Sequence, residues 1–224
     1  MKKQIITLVT FLMAAAIGAQ AQSRLEPMTQ TDQKLWGEKY FETWLSGKAS
    51  QQMIKFPTPM EDFPSALYVY SGYGEIERLQ VKRCVMNKYA KRNEPKLKLD
   101  STEIKIDKET TLAFSNLIKH AVGTCMFNDH MGFDGTTYFF GDYSRVATTW
   151  SPDHGSNCRR LTDVLEKAMA AVKNQNEDEL KGLLPEVKSL TKVFEELYPK
   201  DLDREWEKID SVLSAKAKLQ TLAP

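Results

Sequence analysis

Residues 133–152 read Phe-Asp-Gly-Thr-Thr-Tyr-Phe-Phe-Gly-Asp-Tyr-Ser-Arg-Val-Ala-Thr-Thr-Trp-Ser-Pro, and this stretch decides the fold. Apart from Ala147, residues 136–140 and 146–150 are β-branched or aromatic. Between them lie Gly141, Asp142, Tyr143 and Ser144, a group of turn formers. Two such runs joined by a short turn predict an antiparallel hairpin. Asp134-Gly135 makes a tight start to the first strand, because glycine permits a backbone conformation closed to other residues. Trp150 covers the hairpin end, and Ser151-Pro152 stops the pairing, since proline has no amide hydrogen.

Working outward, the hairpin is flanked by two amphipathic segments. Asp107 is placed to cap a helix over 108–122, whose Phe114, Leu117, Ile118, Ala121 and Val122 fall on one face. Gly123 ends it. After the hairpin, 158–173 carries Leu161, Val164, Leu165, Ala168, Met169 and Val172 at helical spacing. Strands are expected at 66–70, in one or two pieces over 76–89, at 102–107 where Ile104 and Ile106 alternate with charge, and briefly at 125–127. Pro57, Pro59 and Pro64 argue against regular structure over 55–65, and 92–98 reads as a charged connection.

Upstream, Thr31 or Asp32 caps a helix to Ser46 with Leu35, Trp36, Tyr40, Phe41, Trp44 and Leu45 on its core face. Downstream, Asn176 caps a helix whose first turn holds Glu177, Asp178 and Glu179, acids that suit the positive end of the helix dipole. Pro185 must kink that helix or begin another, Pro199 breaks the pattern again, and 201–219 is a last amphipathic helix. The expected class is therefore α+β: an antiparallel sheet of four to six strands with packed helices. The expected organisation is a leader over 1–21, an α+β domain over 22–175, and an all-helical extension over 176–224 packed on the same domain.

The leader reading rests on three features. Lys2 and Lys3 give a positive start, an apolar run follows to Ile17, and Ala19-Gln20-Ala21 offers the small-x-small pattern of a signal-peptidase site. The apolar run of about 13 residues is shorter than the roughly 20 needed to span a bilayer. Cleavage after Ala21 places the mature chain in the periplasm or outside the cell, with no membrane anchor. It also removes two lysines and takes the formal charge from +1 to −1. That balance speaks against a nucleic-acid partner, which calls for a basic face.

An oxidising compartment permits a disulfide among Cys84, Cys125 and Cys158. Three pairings are open. Cys125 with Cys158 is favoured, because both flank the hairpin, which leaves Cys84 as a buried thiol in a strand.

Polar and aromatic chemistry is densest between 125 and 158. The candidate site cluster is Asp129, His130, Asp134, Tyr138, Asp142, Trp150 and His154, on loops that a rigid sheet could hold. Asn, Asp, Gly and His are also ordinary turn residues, so the cluster has a purely structural reading too. Cys125, His130, His154 and Cys158 form a set that tetrahedral zinc accepts, but bridged sulfurs cannot be thiolate ligands, so no metal is expected. A hydrolase would use His130 or His154 as base and Ser151 or Ser156 as nucleophile. Against it, the chain has no Gly-x-Ser-x-Gly elbow, no His-Glu-x-x-His pair and no phosphate-binding glycine loop. No cofactor is implied.

Asp134-Gly135-Thr136 fails as a haloacid-dehalogenase signature, because the nucleophilic Asp of that family would stand where this chain has Gly132. A second likeness is better. The run 133–140 followed by Thr149-Trp150-Ser151-Pro152 resembles a segment of several uncharacterised bacterial α+β families, in which an Asp-Gly-Thr-x-aromatic strand pairs with one ending in Trp-Ser-Pro before a helix. The resemblance covers about 40 residues. It implies a small antiparallel sheet with helices packed on it, and no activity.

The first functional expectation is a non-enzymatic exported protein that binds a partner protein or a small-molecule ligand. The alternative is a hydrolase working from the 129–154 loops. A third reading, an inhibitor or immunity-type protein, would act through a surface rather than a pocket.

Overall fold

The computed structural model describes residues 25–27, 49–57, 63–72, 76–86, 97–125, 135–141 and 145–197, together with Lys208, Ser211, Val212 and Ala215. The strands are β1 (Glu26–Pro27), β2 (Gln51–Phe56), β3 (Ser65–Tyr70), β4 (Arg78–Met86), β5 (Leu97–Lys105), β6 (Thr137–Gly141) and β7 (Val146–Trp150). They form one sheet in the order β1-β7-β6-β2-β3-β4-β5, and every pairing is antiparallel. The helices are α1 (Lys108–Gly123), α2 (Asn157–Lys173), α3 (Glu177–Gly182) and α4 (Leu184–Leu197). The class is α+β as expected, but the sheet has seven strands rather than four to six.

The extra strands have physical reasons. β1 is two residues long and includes Pro27, which an edge strand tolerates because its outer side needs no amide hydrogen. β2 reads Gln-Gln-Met-Ile-Lys-Phe, a weak strand by composition, yet β6 and β3 pair with it on both sides. β5 begins at Leu97, within the stretch expected to be a charged connection, because its first residues complete the ladder with the far end of β4. Cys125 is not in a strand.

Alternation sorts each central strand onto two faces. On β3, Leu67 and Val69 face the helices, while Ala66, Tyr68 and Tyr70 join Ile54, Phe139 and Val146 on the other face. The helix-side core gathers Met53, Val81 and Phe140 from the sheet with Phe114, Leu117 and Leu165 from α1 and α2. α4 adds Val187, Leu190 and Phe194 to that same core, so this part of the C-terminal segment packs on the body.

The helix ends follow their predicted signals. Asp107 accepts from the Thr110 amide at 2.9 Å and caps α1. That bond holds the Asp107 carboxyl below its usual range. Asn176 accepts from the Glu179 amide at 3.0 Å and caps α3, and Pro185 falls in the first turn of α4, where its missing amide is harmless. Among the described residues no helix is long and apolar enough to cross a membrane. The leader, the helix expected to end at Ser46 and the break at Pro199 lie outside the described residues, as does the expected 201–219 helix apart from Lys208, Ser211, Val212 and Ala215.

No two cysteines stand at disulfide distance in this structure, the expected Cys125–Cys158 pair included. Cys84, Cys125 and Cys158 are all thiols. Cys125 follows the end of α1 and Cys158 lies in the first turn of α2, and both fill space in the helix-side core as small apolar groups. Cys84 is half-buried rather than buried. Burial pushes the Cys125 thiol up to about 12, which leaves almost no thiolate at pH 8. Ellman's reagent at pH 8 should therefore react with one thiol, Cys84, in the native protein and with three after unfolding. A single thiol in the unfolded chain would mean that a bridge does form.

Candidate functional site

One row of side chains crosses six strands on the helix face. Thr149 opposes Tyr138, Tyr138 opposes Lys55, Lys55 opposes Ser65, Ser65 opposes Arg83, and Arg83 opposes Asp100. Every member is polar. The next row, two residues along, is Ala147, Phe140, Met53, Leu67 and Val81 on β7, β6, β2, β3 and β4, all buried and apolar, and ends at the half-buried Thr102 on β5. The period-2 alternation of strands keeps each row on a single face.

α2 lies along this polar row. Tyr138 donates its hydroxyl to Glu166 Oε1 at 2.5 Å, and Lys55 Nζ donates to Glu166 Oε2 at 3.0 Å. Gln175, just past the end of α2, donates to the Glu103 carbonyl of β5 at 2.8 Å. The helix therefore crosses the sheet from β6 towards β5. Its flank over the row carries Arg159, Asp163, Glu166, Ala170 and Lys173, spaced i, i+4, i+7, i+11 and i+14 as one helical stripe requires. Burial, then the Glu166 hydrogen bond and charge, hold the Tyr138 hydroxyl protonated well above the usual phenol range. Arg83 sends both Nε and Nη2 to Asp100 Oδ2, at 3.0 and 2.9 Å, and among the described residues its Nη1 has no partner.

Two cavities open along this line. The larger, about 430 Å³, lies between β2–β4 and the second half of α2. Its cations are Lys55, Arg83 and Lys173, its acid is Glu166, and Phe63, Val81, Val85 and Met169 supply an apolar wall. Among the described residues Lys173 Nζ and Ser65 Oγ have no hydrogen-bond or ion-pair partner. The smaller cavity, about 250 Å³, sits beside the start of α2 and is lined by Thr136, Tyr138, Ser151, Asp153, His154 and Arg159. Tyr138 touches the smaller cavity and Glu166 the larger, so their hydrogen bond is the partition between them.

Of the residues singled out from sequence, Tyr138 and His154 share the smaller cavity. His154 is exposed on the turn after β7. Trp150 ends β7 and works in the hairpin closure. Asp129, His130, Asp134 and Asp142 lie outside the described residues, and His130 takes the zinc set with it. Among the described residues no group of three or more His, Cys, Asp or Glu is placed to hold a metal ion.

Gly135 and Ser151 explain the Gly-Thr and Trp-Ser-Pro ends of the motif. Gly135 has φ +144°, and a Cβ there would come within 1.9 Å of Ser151 Oγ. Ser151 itself has φ +36°, and its hydroxyl accepts from the Thr136 amide at 3.2 Å. The Ser151 amide donates back to the Thr136 carbonyl at 2.9 Å. The motif thus clasps the base of the hairpin.

Residues 55, 65, 83, 166 and 173 were not apparent from the sequence. Their strand members lie far apart in the sequence, and only the register lines them up. The class defined here is an α+β protein with a seven-stranded antiparallel sheet and a polar groove beneath one helix. No protein-family model, curated protein or solved structure matches the chain.

Proposed function

We propose that this is a non-enzymatic exported binding protein that takes a small carboxylate with an apolar tail in the cleft between β2–β4 and α2. The observation that carries the reading is the cleft's composition: three cations against one acid, beside an apolar wall. A carboxylate would meet Lys173 and the spare Nη1 of Arg83, charge-assisted donors whose bonds are about twice as strong as neutral ones. Pockets of a few hundred Å³ with an apolar lining and a few convergent polar groups are the usual form of ligand sites. Export rests on the leader and makes the periplasm or the medium the place of action.

The hydrolase alternative has a weaker basis. Ser151 and His154 line one cavity, but the Ser151 hydroxyl already accepts the Thr136 amide and holds the hairpin. A nucleophile tied into the fold in this way is poorly placed to attack.

Titration calorimetry with octanoate, and with octanol as the uncharged control, tests the binding reading. Octanoate should bind and octanol should bind about tenfold more weakly, the loss expected when a charged hydrogen bond is removed. Lys173→Glu, at an exposed helix position, should abolish the preference without changing the unfolding midpoint. Equal affinity for the two probes, or no binding of octanoate, would overturn the proposal. A partner protein that binds at the cleft without any such preference would favour an interaction role instead.

A further inference from the structure

We infer that the chain forms a two-fold dimer by pairing the outer edge of β5 with the same edge of a second copy, antiparallel and centred on Leu99. The interface lies away from the cleft and does not depend on the ligand held there.

β5 closes the sheet at one end and is nine residues long, whereas β1 at the other end has two. An edge strand presents a row of backbone donors and acceptors that a second chain can complete. Their direction follows from the register. Ile106 donates its amide to the Glu77 carbonyl, one step beyond the Arg78–Lys105 pair, so even-numbered residues of β5 turn their backbone groups to β4. The odd-numbered ones, Leu97, Leu99, Ser101, Glu103 and Lys105, turn theirs outward. The Glu103 carbonyl agrees, because it accepts from Gln175 Nε2 at 2.8 Å, outside the sheet. Leu99 is 45 % exposed, and Ser101, Glu103 and Lys105 are exposed as well.

Charge selects the register. Opposing residues of an antiparallel pair share a face, so a two-fold axis normal to the sheet must pass at a residue of β5. An axis at Lys98, Asp100, Glu103 or Lys105 sets that charge against its own copy, and one at Leu97 sets Lys96 against Lys98. Like charges placed opposite each other destabilise a strand pair. An axis at Ser101 or Thr102 brings no opposite charges together. Only two axes do. One at Ile104 sets Glu103 against Lys105, and one at Leu99 sets Lys98 against Asp100, twice by symmetry.

Hydrogen bonding decides between those two. Every axis from Asp100 to Lys105 needs the Glu103 carbonyl as a ladder acceptor, and Gln175 already holds it. Centred on Leu99, the ladder uses only Leu97, Leu99 and Ser101 of each copy, about six backbone bonds, since each hydrogen-bonded pair exchanges two. The exposed Leu99 side chain then meets its own copy. Among the described residues Asp100 is held only through Oδ2, by Arg83, so Oδ1 is open to Lys98 of the second copy. The result is an isologous contact that closes on itself, the commonest form of homodimer.

Sedimentation velocity of the full chain, up to about 1 mM, should show a monomer–dimer equilibrium. Amide exchange at Leu99 and Ser101 should slow as the protein is concentrated. Lys98→Asp should weaken the dimer about tenfold or more, because both charge pairs become repulsive. Asp100→Lys should do the same. An equimolar mixture of these two variants should associate again, since every Asp then opposes a Lys, and that recovery shows that neither variant has merely misfolded. Leu99→Pro should abolish the dimer and leave the ladder with β4 intact, because proline is tolerated where the amide points off an edge. A protein that stays monomeric at the highest concentration, a dimer unchanged by Lys98→Asp and Leu99→Pro, or a mixture that associates no better than its components would each overturn the inference.

Discussion

Gly141→Ala should lower the stability of the protein by about 3 kcal/mol, from two costs acting at one atom. Gly141 ends β6 with φ +136°, a conformation that non-glycine residues hold only at roughly 1–3 kcal/mol. A Cβ there would lie 1.9 Å from the Arg145 carbonyl oxygen and 3.2 Å from the Val146 Cα. Both are backbone atoms, so no side chain can swing away, and overpacking of that kind costs about 1–3 kcal/mol more. For a chain of this size the melting temperature should fall by roughly 6–12 °C. Gly182→Ala is the control. Its Cβ meets nothing within 4 Å and no positive φ is involved, so it should be neutral or slightly stabilising. Equal melting curves for the two variants would show that the β6–β7 turn is not closed as described.

The hairpin containing Gly141 was legible in the sequence, and so were α1 and α2, because each is decided locally. Caps, turn residues and apolar spacing all act within a few residues of one another. Asp107 and Asn176 cap the helices expected of them, and the expected hairpin forms with its first strand one residue later, 137–141 pairing with 146–150. β2 was not legible. Its two glutamines and lysine argue against a central strand, and Gln51 and Gln52 are buried there only because β3 and β6 lie on either side. That is tertiary context overriding propensity.

The candidate site was hidden for the same reason. Tyr138 was singled out for its aromatic and polar neighbourhood, but the partner of its hydroxyl, Glu166, is 28 residues away, and the lysine on the other carboxylate oxygen is 111 residues from Glu166. Glu166 sits on a charged helix stripe that reads as a solvated face. Lys55 stands beside Pro57, in a stretch whose prolines argued for irregular chain. Register, which no short window contains, turns these separate residues into a groove.

Phe140→Ala should be the most damaging of the side-chain truncations near the groove, at about 3–5 kcal/mol. Phe140 is 1 % exposed and lies between Ala147 and Met53 in the apolar row, with its ring stacked on Tyr138 at a centroid distance of 6.4 Å. Its neighbours belong to a packed sheet and cannot collapse into the space, so the lost transfer energy and the cavity add. Phe140→Leu, which keeps most of the volume, should cost less than half as much. The row two residues along should behave differently. Tyr138→Phe removes one hydroxyl and should cost only about 1 kcal/mol, because Glu166 remains half-exposed and keeps its lysine. Replacing Lys55 and Glu166 with methionine and leucine, together with Tyr138→Phe so that no buried hydroxyl loses its acceptor, should be neutral or even stabilising, as apolar replacements of partly buried ion pairs often are. Urea unfolding of these variants separates the two rows. A large loss from the Lys55/Glu166 replacement would mean that the ion pair is there to hold α2 on the sheet. A small one, beside a large loss at Phe140, would leave ligand binding as the reason for a polar row where an apolar row would fold as well.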